Sequence, residues 1–215
     1  MTTAATGARG PYARTAQRRA DIARAVLDLV VEKGHENVTT AEVARRAGSS
    51  EATVLYHYPS KDHLLVAALQ RADDADNEQH WAEAEPEGLD LDGLRVFARA
   101  ATERERIMRL YAALAGHATT PGHPAQDYFA VHYRNAVARF AQSVEQRQAA
   151  GLAHPGLDPV EVARQVVAVW DGLQTQWLVD PAFDLGDVLV SAFRRLTAQN
   201  WMEARRLLLD GGTGI

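Results

Sequence analysis

Residues 39–61 read T-T-A-E-V-A-R-R-A-G-S-S-E-A-T-V-L-Y-H-Y-P-S-K, and this stretch decides the fold. Thr39 and Glu42 have the spacing of a capping box, so a short helix starts here and turns Val43, Ala44 and Ala47 to one apolar side. Gly48 is a helix stop, because a left-handed backbone costs glycine nothing, and Ser49 or Ser50 can cap the next helix. The spacing predicts that second helix over 51–58, with Val54 and Leu55 inward and Glu51, Ala52, Thr53, Tyr56 and His57 left to reach outward. Pro59 biases Tyr58 away from helix and ends it, and Ser60 caps a third helix beginning at Lys61. Two short helices around a glycine turn are the pattern of a helix-turn-helix, whose second helix carries side chains to base edges and phosphates. Lys61 at a helix start opposes the macrodipole, which suggests a phosphate as its partner.

Between residues 18 and 65 the chain resembles the TetR family of bacterial transcriptional regulators, most specifically in T-V-L-Y-H-Y-P-S-K, residues 53–61. Thr53, His57, Ser60 and Lys61 fit the family pattern. Leu55 stands where a phosphate-contacting tyrosine is usual, with Tyr56 next along as a substitute, and Tyr58 replaces a phenylalanine. The resemblance implies a homodimeric regulator reading double-stranded operator DNA through Thr40, Ser50, Glu51, Ala52, Thr53, Tyr56, His57 and Lys61. A repressor released by a small apolar or amphiphilic effector is the expected function. The alternative is a regulator with no small-molecule ligand, controlled by a protein partner.

Upstream, Ile22, Val26, Leu29 and Val30 recur at helical spacing and Gly34 stops the run, giving a packing base for the reader. Downstream no strand-like alternation appears, so the expected class is all-α: a helix-turn-helix domain over 16–65, then a helical ligand-binding and dimerisation domain over 66–209. Residues 1–15 read as a flexible basic arm and 210–215 as a disordered tail, while the acidic Pro/Gly stretch 83–92 breaks the body.

Overall charge is −5, yet residues 1–63 hold nine basic side chains against seven acidic, +2, and the remainder fourteen against twenty-one, −7. A basic head on an acidic body suits a DNA reader joined to a regulatory domain. The absence of cysteine excludes disulfides and thiolate chemistry. No apolar run approaches a membrane span and the first residues lack a signal-peptide core, so a cytoplasmic location is expected. H-E-x-x-H, phosphate-loop and G-x-S-x-G motifs are missing, and neither catalysis nor a cofactor or metal is expected. His117, His123 and His132 cluster near one loop with Asp127, where capping or surface roles outweigh metal binding.

Two sets remain. Tyr111, Phe129, His132, Tyr133, Trp170, Gln174 and Trp177 are either cavity lining between helices or plain core. Asp158-Pro159-Val160-Glu161 starts a helix apolar on more than one face, and Asp184 caps another. In proteins resembling TetR the last two long helices pair with their twins, which makes Val166, Trp170, Leu173, Val188, Leu189, Ala192 and Phe193 candidate dimer contacts.

Overall fold

A computed structural model describes residues 11–76 and 91–210. The expected arm through residue 10, residues 83–90 of the acidic break and the tail 211–215 lie outside them. The described residues form ten α-helices and one 3-10 turn, with no strand among them, and the fold is all-α. They divide into two compact units, with the boundary between Asp73 and Asp74.

The first unit contains α1 (Pro11–Lys33), a 3-10 turn (His35–Asn37), α2 (Thr40–Arg46), α3 (Glu51–His57) and most of α4 (Lys61–Asp76). α1 begins at a proline, inside the expected arm, and proline suits a first helical turn. Ile22, Val26, Leu29, Val30, Val43 and Val54 are buried, so α1, α2 and α3 share one small core. Thr39 caps α2 by accepting from the Glu42 backbone N–H. Glu42 reaches back to the Thr39 backbone N–H as the capping box expects, and its carboxylate also takes the Thr39 hydroxyl at 2.6 Å and the Lys33 ammonium. The Lys33 bond, then the Thr39 hydroxyl, hold that carboxyl down at about 2.

Gly48 makes the turn with φ of 58°, and Ser50 caps α3 by accepting from the Thr53 N–H at 3.2 Å. The helix stops one residue before the expected end, where Tyr58 is already extended ahead of Pro59. Leu55 is 43% exposed, contrary to the inward placement expected of it, and Tyr58 is buried instead. On a helix, residues 54 and 58 share a face while 55 lies about 100° round from 54.

The second unit is built from α5 (Leu91–Glu103), α6 (Glu105–His117), α7 (Ala125–Ala149), α8 (Pro159–Val179), α9 (Leu185–Leu196) and α10 (Gln199–Asp210). α8 lies against α6, α7 and α9, and α5 packs on α9. Leu94, Met108, Phe140, Val144, Val166, Leu189 and Phe193 form the core between them. Gly186 lets α9 approach α5 closely: a Cβ there would stand 3.3 Å from the Arg95 Cα. Asp158 accepts from the N–H groups of Val160 and Glu161 at 2.8 and 3.0 Å, satisfying two donors that the start of α8 leaves open. Asp158→Ala is therefore expected to cost about 1 kcal/mol of stability in urea unfolding.

The chain breaks between α9 and α10 at a corner without glycine or proline, where the sequence reads as one continuous helix. The Thr197 hydroxyl donates to the Phe193 carbonyl at 2.9 Å, and Ala198 then takes φ of 54°, so the chain turns before α10 begins.

Candidate nucleic-acid interface and effector cluster

The reader is held from behind. The Tyr58 hydroxyl donates to the Arg19 carbonyl at 3.2 Å, the Arg19 guanidinium lies over the Tyr58 ring at 4.5 Å, and Arg19 Nη1 donates to the His57 carbonyl at 2.8 Å. The end of α3 is thereby locked to α1, 38 residues earlier in the chain. With Val54 and Tyr58 inward, Glu51, Ala52, Leu55 and Tyr56 are left exposed, and Tyr56 keeps 82% of its surface open. The rings of Tyr56 and His57 meet edge to face at 5.2 Å, so the two present as a pair. Ser50 is the α3 cap, with its oxygen 2.9 Å from the Thr53 hydroxyl, and Thr40 is the half-buried first residue of α2.

Lys61 also has a partner within the chain. Its ammonium donates to the Glu36 carbonyl at 2.7 Å, bracing the start of α4 on the 3-10 turn and removing the need for an outside anion to explain its place. An ammonium has three donors, so this bond does not exhaust it.

In the second unit the candidate lining residues divide. Tyr111, Phe129, His132 and Tyr133 come together, with ring centroids of successive pairs between 5.1 and 5.9 Å apart. Trp170 leaves the group for Phe97 on α5, at 4.7 Å, and Trp177 packs against the unit's main core. Sequence reasoning overlooked the centre of the group. Asp171 accepts from the Tyr111 hydroxyl at 3.1 Å through one oxygen and from the Tyr133 hydroxyl at 2.7 Å through the other. The signal was a single carboxylate inside V-V-A-V-W-D-G-L, where an apolar helix face has no ordinary use for one.

His132 adjoins the cluster, with Nε2 3.4 Å from the Tyr111 hydroxyl and Nδ1 3.5 Å from that of Tyr128. Burial raises the Asp171 carboxyl against the opposing effect of the two phenols. Burial, and then the carboxylate, push the Tyr133 phenol up to about 12, and the same two causes raise Tyr111 further. Both phenols therefore remain protonated donors at neutral pH. Gln174, one turn along α8, is 5% exposed, and its amide nitrogen is buried without a hydrogen-bond partner. The three loop histidines do not converge: His117 stacks on His123 at 5.2 Å, whereas His132 belongs to the tyrosine cluster. Among the described residues no group of three His, Cys, Asp or Glu side chains is arranged to hold a metal, and no helix is long and apolar enough to cross a membrane.

Of the candidate dimer residues, Val166, Leu189 and Phe193 fill the unit's own core, which leaves Trp170, Leu173, Val188 and Ala192 with surface outside it.

A capped helix pair with an outward second helix, on a chain whose second unit is also all-α, defines a helix-turn-helix transcriptional regulator. Comparison with known proteins narrows the class. Residues 22–68 match the profile of bacterial regulatory proteins of the tetR family, and residues 93–201 that of the BetI-type transcriptional repressor C-terminal region. The chain belongs to the TetR family. Over 168 residues it is 27% identical to the A-factor receptor protein of Streptomyces griseus, a match covering 75% of this chain and 55% of that protein, so it spans about half the length of the relative. A TetR-family transcriptional regulator from Rhodococcus sp. superposes with a TM-score of 0.64 at 25% identity, over 85% of this chain and 99% of the other. A transcriptional regulator from Saccharomonospora viridis, solved in complex with choline, gives 0.65 at 22% identity, over 86% and 97%.

Proposed function

We propose that this regulator represses transcription as a homodimer on a pseudo-palindromic operator and is released when a small molecule binds its second unit. The observation that carries the reading is the outward face of α3, where Ala52, Thr53, Tyr56 and His57 stand on a helix anchored through Val54 and Tyr58. Thr40, Ser50, Glu51 and Lys61 complete the proposed DNA contacts, Lys61 through the donors its Glu36 bond leaves over. Selection of duplexes from a random library by the full-length protein tests this. An enriched sequence with two inverted half-sites about one helical turn apart supports it, and no enrichment overturns it.

Dimerisation is assigned to α8 and α9, with Trp170, Leu173, Val188 and Ala192 at the contact. Val188 and Ala192 lie one turn apart on α9, on a different side from the core-facing Leu189 and Phe193. A charged pair there would be desolvated in the dimer without a partner, so Val188→Glu with Ala192→Glu is expected to give a folded monomer in sedimentation velocity. A dimer of unchanged sedimentation coefficient would move the interface elsewhere.

Effector binding is assigned to the Tyr111–Phe129–His132–Tyr133 cluster with Gln174. The choline complex of the Saccharomonospora viridis regulator supports a small-molecule site in this fold. A useful switch requires a coupling of about 1–3 kcal/mol, or roughly 5- to 150-fold in operator affinity, and DNA must weaken the effector by the same factor.

A further inference from the structure

α3 is seven residues long and buries one side chain of its own, Val54. A single apolar contact fixes where so short a helix sits but leaves it able to roll about that point. The first turn is set by the Ser50 cap, whose oxygen accepts from the Thr53 N–H at 3.2 Å. The last turn ends in carbonyls that the helix cannot satisfy internally. A cation placed there meets both those carbonyls and the negative end of the macrodipole.

Arg19 takes that place. Its Nη1 donates to the His57 carbonyl at 2.8 Å, its guanidinium lies 4.5 Å from the centre of the Tyr58 ring, and the Tyr58 hydroxyl returns a bond to the Arg19 carbonyl at 3.2 Å. Tyr58 is buried and extended just past α3, so its ring is a fixed platform for the cation. The link runs both ways: a side chain of α1 holds a carbonyl of α3, and the side chain that follows α3 holds a carbonyl of α1. A phenylalanine at 58 would keep the platform and lose the returning bond. The carbonyl that Arg19 holds belongs to His57, whose ring meets that of Tyr56 at 5.2 Å. The pair proposed to reach DNA therefore hangs on the anchored peptide.

We infer that Arg19 is a positioning residue for operator reading: without touching a base or a phosphate, it fixes the roll of α3 and so where Tyr56 and His57 stand in the groove. The inference rests on α3 as the reading helix, proposed above, and places a determinant of discrimination on α1, outside the helix-turn-helix. A loosened α3 holds the reading orientation for only a fraction of the time, and affinity for the correct sequence falls by that fraction. Duplexes that depend less on exact base contacts lose less, so discrimination narrows as affinity falls.

Fluorescence anisotropy of the full chain tests it, on the selected duplex and on one with a single base pair changed in each half-site. Both are titrated over a range of salt, at a temperature where circular dichroism shows each variant as helical as the parent. Arg19→Ala is expected to weaken the selected duplex about tenfold, the loss of one hydrogen bond and one cation–ring contact, and the changed duplex by less. The slope of log affinity against log salt should stay that of the parent. Arg19→Lys, which keeps a donor and a cation over the ring, should recover most of the loss. Tyr58→Phe removes only the returning bond and should narrow discrimination about threefold at the same slope. Parent-like discrimination in Arg19→Ala, or in Tyr58→Phe should Arg19→Ala not fold, overturns the inference. So does a salt slope shallower by about 0.9 for each phosphate lost, which would make Arg19 a direct contact. Tyr56→Ala separates this from the reading it rests on. Weakened binding there beside a parent-like Arg19→Ala sinks the positioning role and keeps α3 as the reader, whereas parent-like binding by Tyr56→Ala removes α3 as the reader and the inference with it.

Discussion

Operator affinity should fall by roughly 10³- to 10⁵-fold between about 50 and 200 mM salt, as for proteins that neutralise about 6–10 phosphates, a number within reach of two reading heads. Fluorescence anisotropy on the selected duplex would show it as a straight line of log affinity against log salt. The substitutions sort the contacts. Tyr56→Ala removes an almost fully exposed aromatic from the outward face of α3 and should weaken all duplexes alike. Ala52 and Thr53 substitutions should change which base pair is preferred, by about 1–3 kcal/mol at one position of each half-site. Leu55, exposed where the family commonly carries tyrosine, gives the opposite test: Leu55→Tyr should tighten binding regardless of sequence. An affinity that stayed flat with salt would remove α3 from the phosphates and the reader assignment with it.

The second large effect is on stability. Phe193 is wholly buried where α9 meets the core, and the Arg147 guanidinium, itself buried, lies 5.4 Å from its ring centre while donating to Gln199 at 2.7 Å. Phe193→Ala leaves a cavity beneath a buried cation and should cost about 3–5 kcal/mol. Trp170, Trp177 and Trp201 lie in the second unit and the first 73 residues hold no tryptophan, so tryptophan fluorescence in urea does not report the first unit. The midpoint should drop for Phe193→Ala and hold for Val54→Ala, whose side chain belongs to the first unit. Equal drops would mean that the two units unfold as one.

Much of the reader was legible because its determinants are local. Thr39 before Glu42, Gly48 at φ of 58°, Ser50 before Thr53 and Pro59 after Tyr58 each act over three or four residues, and each does in the structure what its side chain or backbone permits. The start of α8 at Asp158-Pro159 is of the same kind. Helical periodicity also named the apolar positions of α8 and α9, but periodicity gives the angle of a face, not what it meets. Val166, Leu189 and Phe193 therefore read as interface when they are core, and Leu55 read as core when it is exposed.

What the sequence by itself determined is the all-α class, the capped helix ends and the reading helix, since caps, turns and 3.6-residue periodicity are properties of neighbouring residues. Tertiary structure alone decided where isolated polar groups find partners. Asp171 meets Tyr111 and Tyr133 from 60 and 38 residues away, and the Lys61 ammonium finds the Glu36 carbonyl across 25. Those pairings depend on which elements lie side by side, and that is set by how whole apolar faces fill a core together.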